Sequence, residues 1–295
     1  MSAIASTDPA RRSRRAREIR WAIGRALLYG LIIGGSTFFV VPFLWMVTSS
    51  IKDPGDIWIQ PPRYVPFLDF APRWQNYGDA WNALPFDYFV RNTLIVTATT
   101  TIGTTISSSI VAFGFARLRF RFRSALFVVV LATLMLPGQV TLIPLFVLFK
   151  NLGWVNTLYP LIVPALFGTP LYIFLLRQFF LTLPIELDEA ARLDGCSSFG
   201  ILWRIILPLA VPALATVTLF SFIARWNDFL GPLIYLNDLK MMTIAVGLLF
   251  FKGQRATDWH LLMAASTAAV MPIIVVFFLI QKQFIQGIAL TGLKA

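Results

Sequence analysis

Six apolar runs, near 26–47, 89–115, 125–147, 159–180, 208–225 and 261–280, constrain this 295-residue chain more than anything else in it. Each is close to the roughly 20 residues that one bilayer crossing takes. They predict an all-α fold, a polytopic membrane protein with six transmembrane helices. Composition agrees: 57% of residues are hydrophobic and 13% charged, against about 25% charged in soluble domains. The third run is the least regular, because Pro137-Gly138 and Pro144 should break or kink it. The chain then divides into a basic segment 1–25, a first span with an external loop 26–85, a core of five spans 86–282 and a tail 283–295.

The net charge of +11 is distributed as a topology signal rather than as a nucleic-acid surface. Arg11, Arg12, Arg14, Arg15, Arg17, Arg20 and Arg25 precede or open the first span, and Arg117, Arg119, Arg121 and Arg123 fill the short loop after the second. With six spans these loops share a side, and the excess of arginine places that side, with both termini, in the cytoplasm. The opposite loop, 52–86, mixes Asp53, Asp56, Asp69 and Asp79 with few bases and is rich in interface-favouring Trp and Tyr. The basic leader runs into an apolar stretch long enough to span, with no small-residue cleavage site, so no cleaved signal peptide is expected. One cysteine, Cys196, and one histidine, His260, can form neither an internal disulfide nor a metal site, and no cofactor is expected.

The segment 181–207 interrupts this apolar background with Glu186, Asp188, Glu189, Arg192, Asp194 and Arg204. A charge at the bilayer centre costs roughly 2.5–3.5 kcal/mol on insertion scales, so the segment must lie outside the hydrocarbon. Pro184 suits a first helical turn, and the carboxylates that follow complement the helix dipole. Asp188 and Arg192 stand at i and i+4 and can pair. Gly195 is the expected left-handed cap, and Ser197 or Ser198 can cap a second helix. There Phe199, Leu202, Trp203 and Ile206 form one apolar stripe, with Arg204 off it. Pro208 and Pro212 mark re-entry into the bilayer. Four acids against two bases give the segment a local charge of −2 on a basic face. It is either a docking surface for a basic groove, with Glu189 as anchor, or a solvated loop.

The second span is unusually polar. Thr97, Thr101, Thr104 and Ser108 share one helical face, and Ile95, Ile102, Ile106 and Ile110 another. Small hydroxylated residues favour close helix packing; they can equally line a path for a polar solute. Asn92, Gln139, Thr141 and Ser221 are further buried-polar candidates, and Asn227 and Asp228 follow Trp226 at the end of the fifth span. Arg225 and Asp228 are spaced to pair if that helix continues, either as a structural link or for gating and solute contact.

The run 184–195, Pro-Ile-Glu-Leu-Asp-Glu-Ala-Ala-Arg-Leu-Asp-Gly, followed by Ile206-Leu207-Pro208 and Pro212, resembles the signature loop of binding-protein-dependent ABC importer permeases. The chain is most similar to the second permease of the carbohydrate-uptake branch, the maltose and glycerol-phosphate type. Leu136-Pro137-Gly138-Gln139-Val140, Arg225-Trp226-Asn227-Asp228-Phe229 and the end Gly287…Gly292-Leu293-Lys294 support the resemblance. Two departures stand out: Cys196 where a small residue such as alanine is common, and a final Ala295 where glycine is common. The resemblance implies a type I importer permease fold in a cell (inner or plasma) membrane, with 181–207 as a coupling helix against a cytoplasmic ATPase. Glu186, Glu189, Ala190, Ala191, Asp194, Gly195, Leu207 and Pro208 would carry that coupling, Glu189 touching the ATPase and Gly195 permitting the bend. It also implies two ATPase copies, a homologous second permease and an extracytoplasmic solute-binding protein. Asn92, Thr97, Thr101, Thr104, Gln139, Ser221, Asn227 and Asp228 are the candidate translocation path.

No G-x-x-x-x-G-K-[ST] phosphate loop occurs, so this chain is expected to be no ATPase itself and transport energy must come from a partner. A membrane enzyme would need a nucleophile, paired acids or metal ligands that are not spaced here. A secondary transporter or channel for a polar solute is the serious alternative, but such proteins usually carry ionisable residues inside their spans.

Overall fold

The computed structural model describes residues 9–59, 63–253 and 257–292, with side chains over 20–59, 63–253 and 257–282. Its regular elements within those residues are helices, with two isolated bridges, Pro66 to Phe70 and Lys252 to Thr257, as the β-type pairing. Four helical stretches, Arg20–Ser50, Phe86–Arg117, Tyr159–Thr182 and Trp259–Lys282, are long and apolar enough to cross a membrane. Two bent pairs raise that to six if each pair is one span.

Helix α1 (Pro9–Ser50) runs unbroken from the basic leader into the first span, with the Arg25 guanidinium stacked 3.7 Å over the Trp21 ring. Its apolar stretch is exposed as far as Pro42 and mostly half-buried from Phe43 to Thr48, and its end is fastened to α2 (Gln75–Ala83). There Ser50 Oγ meets the Tyr77 hydroxyl at 2.8 Å, and Asn76 Nδ2 donates to the carbonyls of Ser50 and Lys52. Arg73 draws Asp53 and Asp79 together across the same loop.

Helix α3 (Phe86–Arg117) is the central element. Its hydroxyl face is buried and its isoleucine face exposed, as the sequence periodicity divides them. Asn92 and Thr93 at its start hold the segment after 240: Asn92 Nδ2 donates to the carbonyls of Lys240 and Met242, and Ile244 N–H donates to Thr93 Oγ1.

The expected third span is two helices, α4 (Arg123–Ala132, extended by one tighter turn to Met135) and α5 (Gly138–Asn151), meeting at 95°. Leu136 is pushed to an extended conformation by the proline that follows it, and Pro137 offers no N–H to continue the ladder. Next come α6 (Tyr159–Ile162) and α7 (Pro170–Thr182), which packs along α3.

Beyond them lie α8 (Glu186–Leu193) and α9 (Ser198–Leu209). The fifth span begins later than expected: α10 (Val211–Trp226) follows an 84° bend at Ala210, so Pro208 belongs to α9 and Pro212 to the first turn of α10. At 16 residues α10 is about 24 Å long. Then follow α11 (Leu230–Tyr235), α12 (Ile244–Gly247) and α13 (Trp259–Gly292). The last of these continues as helix through most of the expected tail, whose remaining residues, 293–295, lie outside the described ones.

Two apolar clusters hold the bundle. One gathers Phe86, Phe89, Trp226, Tyr235 and Val246 at the N-terminal half of α3. The other joins Phe113, Tyr172, Leu176 and Phe180 to Ala191, Ile201, Leu202 and Ile206 at its C-terminal half. The charged segment is therefore anchored to the bundle through its apolar residues and not suspended beside it.

Candidate functional site: a capped two-helix connector and a hollow

The connector is built by local backbone chemistry. The amides of Asp188 and Glu189 close onto the Ile185 carbonyl, opening α8 with three carboxylates in its first turn. Pro184 stands just ahead of the helix and not inside its first turn. The C-terminus closes in a Schellman arrangement: Cys196 N–H donates to Ala191 O at 2.8 Å and Gly195 N–H to Arg192 O at 3.0 Å. Gly195 has the required positive φ, +79°. Ser197, rather than Ser198, then caps α9 by accepting the Gly200 N–H at 3.2 Å.

Burial divides the segment sharply. Glu186, Glu189, Ala190, Asp194, Gly195 and Pro208 are exposed, Leu207 is half-buried, and Ala191 is buried in the core cluster. The apolar stripe splits, because residues 202–206 form a wider π-type turn. Leu202 and Ile206 face inward, while Phe199 and Trp203 are exposed and pack on each other at 5.8 Å.

Asp188 departs from expectation. It is buried, and its ion pair is with Arg117, Nε to Oδ2 at 3.7 Å, instead of with Arg192 one turn on. The reason is that residue 188 lies on the same face of α8 as Ala191, turned toward the bundle, whereas Arg192 is exposed. Burial pushes the Asp188 carboxyl above its ordinary value, with Arg117 and then Arg192 pulling the other way. Arg117 itself ends α3 and donates through Nη2 to Leu183 O at 2.9 Å. The exposed acids are thus Glu186, Glu189 and Asp194.

A hollow of about 520 Å³ lies between α5, the turn ahead of α7, the end of α10 and α11. Gln139, Thr141, Thr169, Arg225, Asp228 and Tyr235 supply its polar lining. Arg225 and Asp228 do not pair as i and i+3, since α10 ends at Trp226; Asp228 Oδ1 instead accepts the Gly231 N–H that opens α11. Of the eight candidate path residues, Gln139 and Asp228 line this hollow. Thr97, Thr101, Thr104, Asn92 and Ser221 are buried between helices, where Thr104 Oγ1 donates to Ala165 O and Asn92 fastens the 240–242 segment. Asn227 is exposed at the helix end, donating to Ile223 O. Among the described residues no three His, Cys, Asp or Glu side chains gather to hold a metal.

Sequence reasoning grouped Arg117 with three neighbouring arginines and missed its separate position. The signal was present: Ser109, Phe113 and Arg117 recur every fourth residue on the buried face of α3.

Apolar helices around a partly polar hollow, with a structured amphipathic connector, are the architecture of an integral membrane transport subunit. Residues 105–290 match the family described as binding-protein-dependent transport system inner membrane component, and the chain belongs to that family. The probable ABC transporter permease protein YurM of Bacillus subtilis is 38% identical over 93% of this chain and 90% of its own length. The arabinooligosaccharides transport system permease protein AraQ of the same organism is 32% identical, covering 88% of this chain and 92% of its own. The trehalose/maltose transport system permease protein MalG of Thermococcus litoralis is 33% identical over 90% of this chain and 96% of its own. The fold also matches a chain in the crystal structure of a bacterial ABC transporter that imports the acidic polysaccharide alginate. That match has TM-score 0.77 and 22% identity, covering 96% of this chain and 100% of that one. The protein is a multi-pass membrane permease subunit, and the expected resemblance to carbohydrate-uptake permeases agrees with these relatives.

Proposed function

We propose that this chain is one permease subunit of an ATP-driven importer for a sugar or related polar solute, and that segment 181–207 receives the motion of cytoplasmic ATPase subunits. The observation that carries the reading is the connector's construction. Its exposed face presents Glu186 and Glu189, while its other face is locked into the bundle by Ala191, Leu202 and Ile206. A solvated loop needs no such seat; a part that transmits displacement does. The sugar class follows from relatives that carry arabinooligosaccharides and trehalose or maltose.

The assembly would hold two ATPase copies, a second permease and an extracytoplasmic solute-binding protein, with both termini of this chain in the cytoplasm. A periplasmic protein loaded with alginate pentasaccharide accompanies a transporter whose chain has this fold at TM-score 0.54 and 14% identity. The 520 Å³ hollow beside Gln139 and Asp228 would form part of the solute path, its amide, hydroxyl and charged groups suiting a polyhydroxylated solute. Nucleotide drives the cycle only through differential affinity for the inward- and outward-open states.

Glu189→Arg, assayed in the full complex, tests the reading. It should abolish co-purification of the ATPase or ATP-driven uptake while thermal unfolding of the isolated permease stays unchanged. Unchanged uptake sinks the proposal, and transport without any ATPase partner favours a secondary transporter.

A further inference from the structure

Arg117 is the last residue of α3, yet its side chain leaves that helix to meet two others. Nη2 donates to the carbonyl of Leu183 just past the end of α7, and Nε approaches Asp188 Oδ2 in the first turn of α8. Both ionic side chains are almost fully enclosed, 4% and 1% exposed. One planar guanidinium thus joins three helices at the point where the chain leaves the bundle for the connector. Its several donors in a fixed plane suit that task better than a lysine would.

Two further facts make this junction more than packing. Helix α8 packs chiefly on α9, whereas α3 and α7 pack along each other. The direct ties from α8 to the long helices are therefore few: Ala191 in the shared cluster and the Arg117–Asp188 pair. An ion pair in such a setting adds little net stability compared with apolar side chains of the same volume, because both ions lose their water. What it supplies is orientation. Two other guanidiniums at this end have different tasks: Arg177 Nε donates to Phe115 O, and Arg123 Nη1 donates to Leu118 O.

We infer that Arg117 and Asp188 are positioning residues that lock the connector helix to the end of α3, so that displacement of α8 is delivered along α3. The inference rests on the proposed function, in that it takes α8 to be moved by an ATPase.

The test uses the complete complex in lipid vesicles, with a nitroxide on Leu94→Cys near the other end of α3, in a Cys196→Ser background. Leu94 is exposed and belongs to neither site. Trapping with ATP and vanadate should shift the spectrum of the parent. In Asp188→Asn the ATPase should still co-purify and hydrolyse ATP, but the shift should be lost. In Asp188→Glu it should be largely retained. Retention of the full shift in Asp188→Asn overturns the lock. Should Asp188→Asn fail to assemble, Arg117→Met with Asp188→Leu decides, since it leaves no uncompensated buried ion. That complex should assemble and hydrolyse ATP with α3 silent; failure to assemble, or a parental shift, overturns the lock. Absence of an ATPase from the parent complex is a different result, and it contradicts the proposed function itself.

Discussion

Gly195 and Asp69 are ordinary residues whose backbone surroundings give them definite roles. At Gly195 an added Cβ would meet no heavy atom within 4 Å, so the cost of Gly195→Ala is backbone strain alone. With φ at +79°, that cost should be about 1–2 kcal/mol, read as a lowered thermal midpoint in detergent. Asp69 Oδ2 accepts the N–H groups of Tyr64 and Val65 at 3.0 and 2.8 Å, and these bonds hold its carboxyl below the ordinary 3.8. A depressed carboxyl contributes stability above its unfolded pKa and loses it as pH falls through the folded one. The protection of the Tyr64 and Val65 amides, measured as hydrogen exchange relative to the intrinsic rate at each pH, should therefore fall only below about pH 4, and Asp69→Asn should lower it at neutral pH. The sequence at this scale shows Gly195 plainly, because a glycine after a charged helix has few other uses. It does not show the partner of Asp188, because that partner lies 71 positions away and only folding brings it near.

Among the elements, the long apolar helices were legible from length and hydropathy, while their bends were legible only as locations. Pro137-Gly138 announces a break, but the 95° between α4 and α5 depends on what each half packs against. The 84° turn at Ala210 had a weaker signal: the sequence suggested re-entry at Pro208, whereas the π-type turn at 202–206 carries α9 on to Leu209. The hydroxyl stripe of α3 was visible as a stripe, and its burial between helices is a fact of packing that periodicity alone leaves open. Short α12 illustrates how close that packing is. A Cβ on Gly247 would overlap the Phe89 ring, which is fully buried in the first cluster. Gly247→Ala should therefore destabilise the purified permease by roughly 1–3 kcal/mol, the usual cost of overpacking, measured by thermal unfolding.

Over the whole molecule, two apolar clusters occupy opposite halves of α3, the first beside the hollow and the second beside the connector. If the proposed function holds, motion entering at α8 would travel along α3 toward the first cluster, which contains Leu161 and Tyr235 from the hollow's lining. On the proposed function, the exposed face of α8 sits against an ATPase. In a Cys196→Ser background, Ala190→Cys and Trp58→Cys place single thiols on two exposed positions, one on α8 and one in the loop after α1. A bifunctional thiol–amine reagent should join the ATPase subunit to Ala190→Cys, with a yield that changes between nucleotide-free and vanadate-trapped complexes, and should leave Trp58→Cys unlinked. Cross-linking of the ATPase to Trp58→Cys but not to Ala190→Cys would contradict the account.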